Sequence, residues 1–260
     1  MKRIIFTTYD DIDRDEDTTQ DQKKVDLDFA ATRMSDMAKQ KLIDEYFDRL
    51  IENKKEYAEK INVDFKFFHN TMKDFDIEAG LQFAKVNLYK HHLMAQLAEE
   101  YDEVMYVDMD VVFNTELNVF EEHDLSKGFH VRPQTDEVAS KIKSDLILKI
   151  VGLRSPTLKY HITKDLLGGK DNHVINTGVM IANSDSIRQL QYINRTREVI
   201  PLIEKIKEDC ESGKTEFNRM VKSYYPNNES VFSYILEKYN IPYVLLEEEW
   251  HKLYGHLPEE

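Results

Sequence analysis

The chain has 260 residues, 49 acidic against 35 Lys and Arg, for a formal net charge of −14. That field disfavours nonspecific binding to nucleic acid or to anionic membranes, although one bound metal ion reverses the sign locally and leaves a nucleotide ligand open. The composition, 41% apolar with a single cysteine, Cys210, suits one globular domain without a disulfide; no apolar run approaches the ~18 residues of a membrane span, and the start turns polar too early for a signal peptide, so a cytoplasmic protein without membrane insertion is expected.

Ile4-Ile5-Phe6 reads as a first buried strand ending in Thr7-Thr8-Tyr9. An acidic stretch follows, and its alternating Asp11, Asp13, Asp15 and Asp17 imitate a calcium loop. It carries Glu16 where such a loop needs Gly and Gln22 where it needs a bidentate Glu, which favours a solvated loop. Residues 35–60 have helical periodicity, with Met37, Leu42, Ile43, Phe47 and Leu50 near one face. Residues 63–68 read as a second strand. Residues 78–100 read as a second long helix, with a stripe through Leu81, Ala84, Leu88, Ala95 and Ala98. Val104 to Val107 form the next strand. This alternation predicts a parallel, doubly wound sheet.

The second half is less regular. Residues 128–131 predict a strand, 136–150 a helix, 173–183 a strand interrupted by Gly178, 184–209 a helix, 226–239 another, and 242–246 a last strand. Gly inside a strand pattern marks a bulge or a close approach by another group. Asn227 or Asn228 is placed to cap the helix opened by Pro226.

Residues 101–113, Tyr-Asp-Glu-Val-Met-Tyr-Val-Asp-Met-Asp-Val-Val-Phe, carry the most chemistry. A buried strand delivers Asp108 and Asp110 to its carboxyl end, where open α/β sheets bind ligands. Two carboxylates so close repel unless a cation or a proton lies between them.

Together with Val-Ile-Asn-Thr-Gly-Val-Met-Ile-Ala-Asn at 174–183 and Pro-Asn-Asn-Glu-Ser at 226–230, this run resembles the GT-A class of nucleotide-sugar glycosyltransferases, and within it glycosyltransferase family 8. The resemblance implies a single GT-A, Rossmann-like α/β domain over residues 1–260 with a mostly parallel sheet flanked by helices. Residues 1–113 would form the nucleotide-binding half and 114–260 the sugar- and acceptor-binding half. It implies transfer of a sugar from a nucleotide-sugar donor, a UDP-sugar, to an acceptor the sequence does not identify. Asp108 and Asp110 would hold Mn²⁺ or Mg²⁺, with Asp108 also touching ribose.

By the same resemblance His251 is a candidate third metal ligand, although the family's His-x-x-Gly-x-x-Lys-Pro-Trp run is absent. An imidazole ligand would favour Mn²⁺; a packing residue beside Trp250 is the other reading. Asn176 and Gly178 match the sugar pocket: the amide donates and accepts, and glycine permits close approach. Asn228-Glu229 stands where the family has Asp-Gln, so Glu229 is a general base, a group facing the anomeric carbon, or a plain first-turn acid. Thr7, Thr8 and Tyr9 are placed for base and ribose, with Tyr9 stacking on uracil. Lys85 borders its helix's core stripe and reaches either a phosphate or Asp108, unless it merely snorkels.

Two other classes remain open. Val107 to Val112 also satisfies the first motif of haloacid-dehalogenase phosphohydrolases, with Asp108 as nucleophile, but no acidic pair follows late in the chain to complete that site. A non-catalytic nucleotide-sugar-binding module on the same scaffold is the other.

Overall fold

The structure, a computed structural model, describes residues 1–11, 27–72, 75–77, 82–133, 163–164, 166–168, 174–212 and 228–250. Its centre is a six-stranded sheet in the order β2-β1-β3-β5-β4-β6. The strands are β1 (Arg3–Tyr9), β2 (Asp64–His69), β3 (Glu103–Val107), β4 (Phe129–Pro133), β5 (Ile175–Asn183) and β6 (Tyr243–Leu245). The helices are α1 (Leu27–Lys60), α2 (Gln82–Leu97), α3 (Val119–Glu122), α4 (Ser184–Leu190), α5 (Tyr192–Glu211) and α6 (Asn228–Lys238).

β2, β1 and β3 are parallel neighbours, as are β4 and β6. β5 alone runs the other way, between β3 and β4. The sheet is therefore mostly parallel, with one reversed strand that periodicity could not reveal. Reversal has a consequence for function. The amino end of β5 lies at the same edge as the carboxyl ends of β1, β3, β4 and β6.

Alternation along the strands divides the core between two faces. Ile4, Phe6, Val104, Tyr106, Val131 and Met180 face α2, α5 and α6. Ile5, Met105, Val107, Val179 and Ile181 face α1 and the segment around Phe120 and Leu125. Every residue of β3 is buried, as a strand covered on both faces requires. Phe232 of α6 meets Phe129 edge to face at 5.4 Å, fixing α6 on the first of these faces.

The predicted elements return with small shifts and one split. The helix expected over 184–209 is two helices, separated by Gln191 at φ 42 and ψ 39. α1 extends from Leu27 and bends at Tyr46 (φ −115, ψ 15). The helix expected over 136–150 lies outside the described residues. β4 starts from Gly128 at φ +107, where a Cβ would collide with the Pro242 carbonyl, so the close approach of β4 to β6 needs glycine.

Candidate active site

The carboxyl edge of the sheet gathers side chains that lie far apart in sequence. Asp108 is the first residue past β3, and its N–H donates to the Gly178 carbonyl at 2.7 Å, extending the pairing of β3 with β5 by one step. Val111 N donates to the Asp108 carbonyl at 3.1 Å, closing a tight turn that holds both aspartates. Asp108 is 38% exposed at the side chain, and Asp110 is exposed.

Lys90 organises the Asp108 carboxylate. Its ammonium, 3% exposed, donates to Asp108 Oδ1 at 3.1 Å and to the Thr177 carbonyl at 3.0 Å. Tyr106 donates its hydroxyl to the same oxygen at 2.5 Å, and the Lys90 ammonium lies 4.8 Å over the Tyr106 ring. Burial, then the charge of Asp108, pushes the Tyr106 phenol well above its ordinary value, so it stays a donor. Lys85, half-buried on the same helix, makes no hydrogen bond or ion pair to any described residue. The lysine on Asp108 is Lys90.

From Lys90 the polar chain continues across the sheet. The Asn228 amide donates to the Thr177 hydroxyl, and both side chains are buried. Asn228 opens α6, followed by the 8% exposed Glu229. Ser233, one turn on, ties this helix to β5. It donates to the Glu229 carbonyl at 2.6 Å and accepts from Ile175 N at 2.9 Å. Asn176 Oδ1 accepts from Gly178 N at 2.8 Å, which turns the side chain back along its own strand. The pairing of β4 with β5 slips here: Val131 faces Met180 but Arg132 faces Asn176. Thr177 to Val179 thus form the irregularity that Gly178 suggested.

Lys54 of α1 supports the turn from the opposite face. It is fully buried, and its ammonium donates to the carbonyls of Leu50 (3.1 Å), Met109 (2.9 Å) and Val111 (2.7 Å). Burial lowers it to about 8, while the negative charges of Asp110 and Asp108 pull it back up. Asn53, beside it, donates to the Phe113 carbonyl (3.0 Å) and accepts from its N–H (2.7 Å). Tyr57, one turn on, stacks on Phe113 with centroids 4.0 Å apart and donates to the Leu117 carbonyl at 2.7 Å. Lys60 pairs with Glu116. One face of α1 therefore grips the whole segment after the aspartates.

The remaining expected positions fall as follows. Thr7 is fully buried, with its hydroxyl unpaired among the described residues. Thr8 donates to Asp10 at 3.4 Å, and Asp10, buried, has its carboxyl raised by desolvation. The Tyr9 ring packs edge-on against Phe47 at 5.3 Å and lies 6.0 Å from His69, within an aromatic cluster. His251 and the start of the second helix at 78–81 lie outside the described residues.

Lys54, Lys90, Tyr106 and Thr177 were missed from the sequence. Two carried a signal. Lys90 stands at i+4 from Val86 and at i−3, i−4 and i−7 from Leu93, Met94 and Leu97, so it lies inside an apolar stripe. Lys54 stands likewise to Leu50, Tyr57, Ala58 and Ile61. A lysine in phase with an apolar stripe is a candidate buried cation.

The donor set at the edge suits a hard divalent cation: two carboxylates within one turn, both reachable from solvent. Among the described residues no group of three or more His, Cys, Asp or Glu forms a ready-made metal cage. A cation here would take its other ligands from water, substrate or residues outside that set.

No protein-family model matches the chain, and no curated protein sequence matches it. Among solved structures it is similar to a glycosyltransferase involved in the glycosylation of the major capsid of PBCV-1. The TM-score is 0.45 and the identity 13%, over 95% of this chain and 83% of that one.

Proposed function

We propose that the protein is a glycosyltransferase that moves a sugar from a nucleotide diphosphate sugar, a UDP-sugar, to an acceptor, with Mn²⁺ or Mg²⁺ at Asp108 and Asp110. One observation carries the reading. Asp108, the buried Lys90, Thr177 near the amino end of the reversed strand and Asn228 in the first turn of α6 are hydrogen-bonded in series at one sheet edge, with the exposed Asp110 in the same turn as Asp108. Such an edge is where α/β sheets bind nucleotides, and the residue types match what a diphosphate and a polyhydroxylated sugar need.

Asp108 and Asp110 would hold the cation, whose chemistry is to neutralise the charge that develops on the leaving diphosphate. Lys90 and Tyr106 fix the Asp108 carboxylate in one orientation. Asn176 has its amide oxygen occupied by Gly178, so it offers the NH₂ to a sugar hydroxyl. Glu229, at the first turn of α6, is the carboxylate we assign to take a proton from an acceptor hydroxyl or to face the anomeric carbon. His251 completes the proposed metal set.

The test is the melting temperature with UDP, GDP and ADP, each with and without Mn²⁺, since a ligand of the folded state raises it with affinity and concentration. A rise with UDP that requires the metal is the expected result, and Asp110→Asn should remove it while the unliganded variant melts normally. Stabilisation by metal alone, with no response to any nucleotide, would overturn the donor reading and favour a phosphohydrolase at Asp108.

A further inference from the structure

We infer that Arg132 is a subsite for an anionic group, a carboxylate or phosphate carried by the transferred sugar or by the acceptor. Arg132 is the penultimate residue of β4, at the edge that holds Asp108. It is half-buried, and its Nε is shielded from solvent with no hydrogen-bond partner among the described residues. Its guanidinium makes no ion pair with any described residue, although acids outnumber Lys and Arg by 49 to 35. Three of them, Glu247, Glu248 and Glu249, follow the strand paired with β4. Burying part of a guanidinium without a partner costs stability, and structures usually satisfy such groups.

The register places this cation. Arg132 is the Cα partner of Asn176, and partners on adjacent strands project to the same face. Alternation from His130 puts both on the α1 face, the side from which Lys54 supports the aspartate turn. β4 lies two strands from β3, a separation of roughly 10 Å across the sheet between the strand of Arg132 and the strand that ends in the aspartates. The diphosphate belongs with Asp108 and Asp110, so an anion at Arg132 is a different group, within reach of the sugar or of what receives it. The planar fork of arginine pairs two oxygens of a carboxylate or phosphate at once.

The assignment of this anion to a sugar rests on the proposed transferase reading; the presence of an anion subsite does not. Three measurements separate the outcomes. The unliganded Arg132→Gln variant should melt no lower than the wild type, because a half-buried cation with no partner among the described residues is removed; a marked fall would make Arg132 a structural residue and overturn the inference. With Mn²⁺ present, the wild type should bind UDP-glucuronate at least tenfold more tightly than UDP-glucose if the donor carries the anion. With UDP and Mn²⁺ saturating, it should prefer glucuronate or glucose 6-phosphate over glucose by a similar factor if the acceptor does. In whichever arm shows the preference, Arg132→Gln should erase it and Arg132→Lys should keep part of it. Equal binding of charged and neutral probes in both arms, or a preference that survives Arg132→Gln, overturns the inference. If UDP fails to bind at all, the transferase reading falls, and the free sugars titrated into the unliganded chain still decide Arg132.

Discussion

At the scale of single residues, the two buried lysines do different work. Lys90 touches the Asp108 carboxylate, so its removal acts on the site directly. Lys90→Gln should lower turnover on the order of 10²-fold, the usual loss when a fixed electrostatic donor goes, whereas Lys85→Gln, without a described partner, should stay within about twofold of wild type by the same reasoning. Equal effects of the two variants would remove Lys90 from the site. Lys54 acts through backbone carbonyls and holds the aspartate turn in place. Lys54→Met should cost roughly 10- to 100-fold in metal affinity, as loss of an outer-shell partner does. It also carries a pH signature. Burial lowers the Lys54 ammonium from 10.5 to about 8, so the folded chain releases that proton while the unfolded chain still holds it. The unfolded state then binds more protons between those values, and stability contributed by this group rises with pH across that window. Unfolding free energies of wild type and Lys54→Met at pH 8 and pH 10 should therefore diverge in favour of the wild type, at no more than about 1.4 kcal/mol per pH unit. A constant difference would mean that the carbonyls keep the proton in place beyond pH 10.

At the scale of elements, α1 works as a clamp on an otherwise irregular segment. Residues 111–118 form no helix or strand, and their backbone groups find partners in the side chains of Asn53, Lys54 and Tyr57. Asn53→Ala would strip partners from both the N–H and the carbonyl of Phe113, at a cost of about 1–3 kcal/mol. The denaturation midpoint should fall accordingly, and amide exchange at Phe113 should speed up more than at Ile5 in the core. An unchanged exchange rate at Phe113 would mean that stacking on Tyr57 alone secures the segment. The clamp also marks where sequence reading stops. β1, β2, β3, β5 and α6 were legible because their apolar spacing is local, and Asp108 and Asp110 because a buried strand ends in them. The direction of β5 was not legible, since a strand pattern reads the same both ways. The stripe on α2 was legible in part: Leu88 and Ala98 are buried in the core as expected and Ala95 packs against it, but Leu93, Met94 and Leu97 join the same core, so the buried surface is wider than one stripe and takes in Lys90. Tyr9 looked free to stack on a base because its partners Phe47 and His69 are 38 and 60 residues away along the chain.

At the scale of the whole molecule, the net charge of −14 opposes the proposed donor. A nucleotide sugar is itself anionic, and an acidic protein repels it over distances that salt can screen, about 10 Å at 0.1 M. Lys54 and Lys90 offset part of this field, but each is held by carbonyls or by Asp108 and leaves little charge facing solvent. A divalent cation between Asp108 and Asp110 would change the sign where the diphosphate docks. The salt dependence of binding therefore separates the two situations. Without metal, UDP affinity measured by calorimetry should be weak and should rise as salt is raised from about 20 to 150 mM, because screening relieves repulsion. With Mn²⁺ saturating, that rise should flatten or reverse, because the local interaction becomes attractive and screening then weakens it. Affinity that falls with salt in the absence of metal would mean that the positive residues already outweigh the aspartates at this edge. The cation would then be dispensable for holding the diphosphate, and the metal-dependent part of the proposal would fail while the transferase reading stood.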